Sequence, residues 1–188
     1  MNIVKNNRYK FTEEQIEKAL FYLLKHKEFD SISIVDICKI ANINRSSFYA
    51  HYEDVNDLMI KVEQNLSNEI KHIFFNNNEL NFSKESFIAY FSHMQKYKDF
   101  YSAYLGHQDA SNNGFTFITE ILPQIPSMFK ILEKNYSKDE LYYHMTFFGA
   151  GITGITKHWL KNNCQETPEQ MAGIIQNEYE RASKIITK

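Results

Sequence analysis

Cysteine is scarce in this sequence: Cys38 and Cys164 are the only two, far apart in amphipathic stretches. Neither belongs to a C-x-x-C pair or has Cys/His ligand spacing around it. That excludes a disulfide framework or a cysteine-based zinc site and leaves both as reduced packing or surface residues. No run approaches the ~18 apolar residues a membrane helix needs. Met1 to Phe11, with Lys5, Arg8 and Lys10, lacks the apolar stretch of a signal peptide, so a cytoplasmic location without membrane contact is expected. The net charge of −2 gives no global basic signature, so any contact with nucleic acid must come from local charge distribution. Strand alternation and internal repeats are absent. Absent too are G-x-S-x-G, a P-loop and H-E-x-x-H, so no catalytic residue and no enzymatic activity is expected. His93 and His107, like His144 and His158, are spaced by roughly four helical turns, ~21 Å, too far to share a metal. No metal or cofactor is expected.

What is present is helix. The 188 residues are 43% hydrophobic and 15% aromatic, enough for a packed core in one domain or two small ones. Thr12-Glu-Glu-Gln15 has the pattern of a capping box, followed by Ile16, Ala19, Leu20, Leu23 and Leu24 at helical spacing, which predicts a helix over 13–27. Ser33-Ile-Val-Asp36 is a second start signal, with Ile34, Ile37, Cys38 and Ala41 as its buried stripe. Asn42 suits a left-handed turn position and Asn44 an N-cap, so "ANIN" reads as a tight connection into a short helix from Arg45 to about His51. Asp54 opens a long helix to about residue 75, ended by "FFNNNELN". Beyond it, amphipathic segments cover 83–97, 99–107, 115–135 and 139–163, with "SNNG" (111–114) as a loop. The last helix runs from Thr167-Pro168-Glu169 to Ile186.

Residues 149–154, "GAGITG", spell G-x-G-x-x-G, the fingerprint of a dinucleotide-binding turn. Such a turn needs a strand before it and more strands after the helix it opens, and nothing after Gly154 completes a sheet. The alternative is a helix with three interior glycines, each costing up to ~1 kcal/mol relative to Ala. A close neighbour against the bare face would offset that cost. A dinucleotide-dependent enzyme remains only as a remote alternative.

Residues 31–62, "SISIVDICKIANINRSSFYAHYEDVNDLMIKV", resemble the DNA-binding domain of the TetR family of bacterial transcriptional regulators. The resemblance rests on the apolar positions of the second helix, Ala41 before the turn, the short helix "RSSFYAHY" and the "DLM" opening of the next. It implies an all-α fold with an N-terminal three-helix helix-turn-helix head joined by a long helix to a larger helical ligand-binding and dimerisation body. The expected division is 1–53 for the head and 54–188 for the body, with helix 54–75 connecting them. Local charge agrees: Lys39, Arg45 and His51 fall in a stretch without an acidic residue, and residues 1–10 add further cations with none. The N-terminal end of the second helix of such a motif faces base edges, which puts Arg45, Ser46 and Ser47 forward, Arg45 with the fork geometry for guanine. Tyr49, His51, Tyr52, Ser33 and Lys10 complete the predicted DNA-binding set, Ser33 and Tyr52 as phosphate contacts, while Phe48 is read as core. Family members usually carry a basic residue at the start of the helix that follows, where this chain has Val55. The resemblance therefore implies that one phosphate contact is missing, with Asn56 as a partial substitute and Lys61 further along.

The resemblance also implies partners: double-stranded DNA, a second copy of the chain and a small-molecule effector. The expected dimer interface uses the small-residue face of the last two helices, Gly151, Gly154 and Ile155 with Trp159, Ile175 and Tyr179. The aromatic middle suggests a lining for a flat or apolar ligand: Tyr90, Met94, Tyr101, Tyr104 and Phe148. Phe117 and Phe129 belong to the same set, with His107 and His144 as polar handles. A repressor is the leading reading, and a helical binding protein that has lost DNA binding is the alternative that Val55 keeps open.

Overall fold

Helix α1 spans Ile3–Leu24 and begins well before the Thr12 start that the sequence suggests. Thr12 caps nothing: it lies inside the helix, where its hydroxyl donates to the carbonyl of Arg8 at 3.0 Å, a common resort of threonine within helices. Arg8 and Lys10 therefore ride exposed on a helix. The expected stripe of Ile16, Ala19, Leu20 and Leu23 is buried.

A 3-10 turn, Phe29–Ser31, leads to α2, Ile34–Ala41. The amide of Asp36 donates to Ser33 Oγ at 3.2 Å, and the amide of Ser33 donates to the Asp36 carboxylate at 3.1 Å, a closed capping box. Lys27 pairs with the same carboxylate at 2.9 Å. The Ser33 hydroxyl first, and Lys27 next, hold the Asp36 carboxyl down at about 2. Asn42 ends α2 at φ 53°, ψ 48°, the left-handed conformation its spacing predicts. Asn44 then caps α3, Arg45–Tyr49, by accepting from the amide of Ser47 at 2.7 Å. Helix α4, Val55–Phe74, starts behind Asp54, whose carboxylate accepts from the amide of Asp57 at 2.8 Å.

The computed structural model describes residues 3–76, 79–80, 83–107 and 137–186. The expected helix over 115–135, the 111–114 loop, Phe117 and Phe129 lie outside them, as do the side chains of His107, His144 and Tyr179. Two compact units divide the chain, 1–66 and 67–188, so the division falls inside α4. Leu58, Met59 and Val62, on the first turns of α4, are buried.

The second unit opens with a two-residue antiparallel pairing, β1 (Phe75–Asn76) with β2 (Glu79–Leu80), a small exception to the all-α pattern. Helices α5 (Lys84–Lys96), α6 (Lys98–His107), α7 (Lys138–Lys161) and α8 (Pro168–Ile186) follow. Helix α8 packs along α5, and α6 against α7. The core between them is aromatic: Phe91 meets Trp159 edge-on at 5.3 Å between ring centroids. The Trp159 ring N–H donates to the carbonyl of Glu166 at 3.0 Å, as a buried indole requires. Gly149, Gly151 and Gly154 all lie inside α7. The G-x-G-x-x-G letters therefore form no turn and cradle no pyrophosphate.

Candidate nucleic-acid interface

An open cleft of ≈ 930 Å³ lies where α1, α2 and α3 meet. Arg8 and Thr12 line it from α1, Val35, Cys38 and Lys39 from α2, and Arg45 and Ser47 from α3, with the Asn42–Asn44 turn between; no carboxylate lines it. Three cations converging on one concave face attract a phosphate backbone wherever the rest of the charge lies. Tyr49, 57% exposed, stands one turn beyond Arg45. Ser46 is exposed and donates to Asn44 Oδ1 at 3.0 Å, so it serves the cap while facing solvent. Arg8 and Lys39 were missed as site residues by sequence reasoning. Their signal was present in the charge run, but only the fold shows that α1 and α2 bring them beside Arg45.

The remaining predicted residues divide. Ser33 is exposed at the start of α2, with its hydroxyl donating to the Asp36 carboxylate at 2.7 Å. Lys10 is exposed on α1 and does not line the cleft. Tyr52 is a correction: it is 2% exposed, and its hydroxyl has no access to a phosphate. Phe48 is fully buried, as expected, and its ring lies 5.8 Å from that of Tyr52, so Tyr52 joins the core behind α3. His51 is half-buried, stacked on Tyr9 at 3.8 Å between centroids. Burial pushes its pKa down, against the pull of Glu13. At the start of α4, Val55 is half-buried and Asn56 exposed. Lys61 is engaged locally, its Nζ donating to the Asp57 carboxylate at 2.8 Å and to the carbonyl of His51 at 3.1 Å.

In the second unit, the predicted ligand-lining residues Tyr90, Met94, Tyr101 and Tyr104 are buried, and Phe148 is half-buried. Tyr90 shares a 3.1 Å hydrogen bond with Thr156, and Tyr101 shares one of 3.0 Å with His93 Nε2, which ties these hydroxyls into the core. His93 also lies 3.5 Å from the Glu69 carboxylate. Burial first, and then Lys96, holds the His93 pKa down at about 4; half-exposed Glu69 is too well solvated to reverse this. The neutral form is therefore the one the fold favours. The unfolded chain takes up this proton near 6.5 and the folded chain near 4, so its stability is full above 6.5 and is lost as pH falls between the two. Urea midpoints measured from pH 7 to pH 4 should fall more steeply for the wild type than for His93→Phe; parallel profiles would refute this.

The predicted interface residues also separate. Gly151 and Gly154 are exposed, and a Cβ added at either would meet nothing within 4 Å. Ile155 is half-buried. Trp159 and Ile175 are corrected to the interior of the second unit, at 1% and 3% exposure, where α8 packs along α5 and the ring of Trp159 meets Phe91. The face carrying the glycines instead displays Tyr143 and Phe147, 70% and 79% exposed, with Ile174 exposed on α8. Positions 143, 147, 151 and 154 follow at four, four and three, one stripe along α7. That spacing is legible in the sequence itself.

Among the described residues, no helix is long and apolar enough to cross a membrane. A helix-turn-helix with a cationic cleft on a three-helix head, followed by a larger helical unit, defines a DNA-binding transcriptional regulator. Residues 81–179, more than half of the chain, match a TetR-type family model described as "transcriptional regulator C-terminal region", and the chain belongs to the TetR family. Solved structures agree in fold. The dihydroxyacetone kinase operon activator DhaS aligns with a TM-score of 0.69 at 19% identity, covering 93% of this chain and 97% of its own. A TetR transcriptional regulator from Streptococcus agalactiae 2603V gives 0.65 at 21% identity over 95% and 98%. The fatty acid degradation regulator FadR from Bacillus halodurans gives 0.59 at 12% over 88% and 93%. No curated protein sequence matches the chain.

Proposed function

We propose that the protein is a cytoplasmic homodimeric repressor, without catalytic activity, that binds a palindromic operator and is released by a small apolar or aromatic effector. The observation that carries this reading is the cleft in which Arg8, Lys39 and Arg45 converge beside exposed Tyr49 with no carboxylate in the lining. Dimerisation is supported by the exposed stripe of Tyr143, Phe147, Gly151 and Gly154. Large apolar patches on a soluble protein mark interaction surfaces, and the bare glycine backbone admits a close neighbour. Two heads held ~34 Å apart read successive major-groove faces, which is what a palindrome presents. An effector that favours another spacing of the heads would lower operator affinity by its differential affinity for the two states.

Sedimentation of the protein with a duplex recovered by selection from a random pool tests this: two protomers per duplex are expected. A complex of one protomer per duplex would overturn the dimeric reading. Val55, in place of a cation at the start of α4, favours one alternative, a ligand-binding protein with little DNA affinity. In that case the selection would enrich no sequence.

A further inference from the structure

Helix α3 is only five residues long, too short to hold an orientation through its own backbone hydrogen bonds. Asn44 sets its first turn and buried Phe48 its middle. Beyond its last turn, the carbonyls of Ala50 and His51 need partners from elsewhere, and two side chains from other helices supply them. Tyr9 of α1 donates its hydroxyl to the carbonyl of Ala50 at 3.3 Å and lays its ring on that of His51, 3.8 Å away at 30°. Lys61 of α4 donates to the carbonyl of His51 at 3.1 Å, is fixed by Asp57 at 2.8 Å, and stands 5.3 Å over the Tyr52 ring. The Nδ1 atom of His51 is enclosed without a hydrogen-bond partner among the described residues. Stacking on Tyr9, and not a bond at that nitrogen, locates the ring.

We propose that Tyr9, His51 and Lys61 form a clasp that positions α3 for base reading, and that Tyr9 and His51 are positioning residues that do not contact DNA. Base edges are read by short directional bonds that need Arg45 in one place, whereas attraction to phosphates tolerates misplacement. A loosened α3 therefore loses sequence discrimination and keeps non-specific affinity. This consequence rests on the DNA-binding reading; the clasp itself does not.

The test compares full-length wild type, Tyr9→Ala, Tyr9→Phe, His51→Ala and the double alanine variant in two measurements. In amide hydrogen exchange, Tyr9→Ala should speed exchange across 45–52 by about tenfold, the scale of one hydrogen bond plus one aromatic stack, with α5 and α8 unchanged. In binding across a salt series, it should lose about tenfold on the duplex selected by the wild type and nothing on poly(dI-dC), at an unchanged salt slope. Tyr9→Phe, which keeps the stack, should recover most of the loss. The double variant should be little worse than either single one, because the two rings act as a unit. Wild-type exchange across 45–52 in Tyr9→Ala would overturn the clasp. Equal losses on both DNAs with a shallower slope would overturn it too, by making Tyr9 a phosphate contact. Should the wild type enrich no duplex, the DNA-binding reading fails, and the exchange measurement still decides the clasp.

Discussion

Replacing Gly151 and Gly154 together by glutamine should convert the proposed dimer to a monomer of 22.3 kDa in sedimentation, without lowering the thermal stability of the single chain. Both parts follow from the same geometry. A side chain at either position enters open space within the protomer, so nothing in the fold has to move. Within a helix, glutamine is better than glycine by several tenths of a kcal/mol up to about 1, so the isolated protomer should gain slightly. The cost falls on the contact that the bare backbone admits, because two glutamines hold the neighbouring helix away and leave Phe147 and Tyr143 uncovered. Specific DNA affinity should fall with the dimer, by roughly 10²-fold or more, since the second head then binds without the effective concentration the first provides. An unchanged dimer would place the interface elsewhere.

Arg45→Ala should cost about 10- to 100-fold in operator affinity per half-site, the scale of one bidentate contact to a guanine, and should relax the base preference there. Its effect on non-specific duplex should be small. Lys39→Gln supplies the contrast: removing a phosphate-binding cation there should weaken binding on all sequences and reduce the salt slope by about one unit. Lys39 lines the same cleft from α2, so both substitutions change a surface cation without disturbing a core position. Should Arg45→Ala weaken specific and non-specific binding equally, Arg45 would be a phosphate contact and base reading would fall to Ser46 and Tyr49.

Much of the head could be read before any coordinates, because its signals are local. Ser33 with Asp36, Asn42 and Asn44 each fix one helix end through bonds to residues three to five positions away, and those bonds form as the spacing predicts. The errors arise where distant segments meet. Thr12 looks like a cap in isolation, yet α1 continues through it, because a capping pattern does not reveal that the preceding residues are also helical. Tyr52 looks like a surface hydroxyl beside Tyr49, but α4 follows closely enough to enclose it against Phe48. Trp159, on α7 with the glycines, and Ile175, on α8, are apolar positions that spacing alone leaves open to a partner, and only the packing of the second unit shows that they point inward. Tyr9 and Ala50 lie forty-one positions apart, and no spacing rule connects them.

Two copies of this head are proposed to read a symmetric DNA site. Selection from a random duplex pool with the purified wild-type protein at moderate salt tests it most directly. The expected result is enrichment of an inverted repeat whose half-sites are centred about one helical turn, or a multiple of it, apart, with a guanine whose preference disappears in Arg45→Ala. A pool that stays random, or an enriched site without two-fold symmetry, would contradict it.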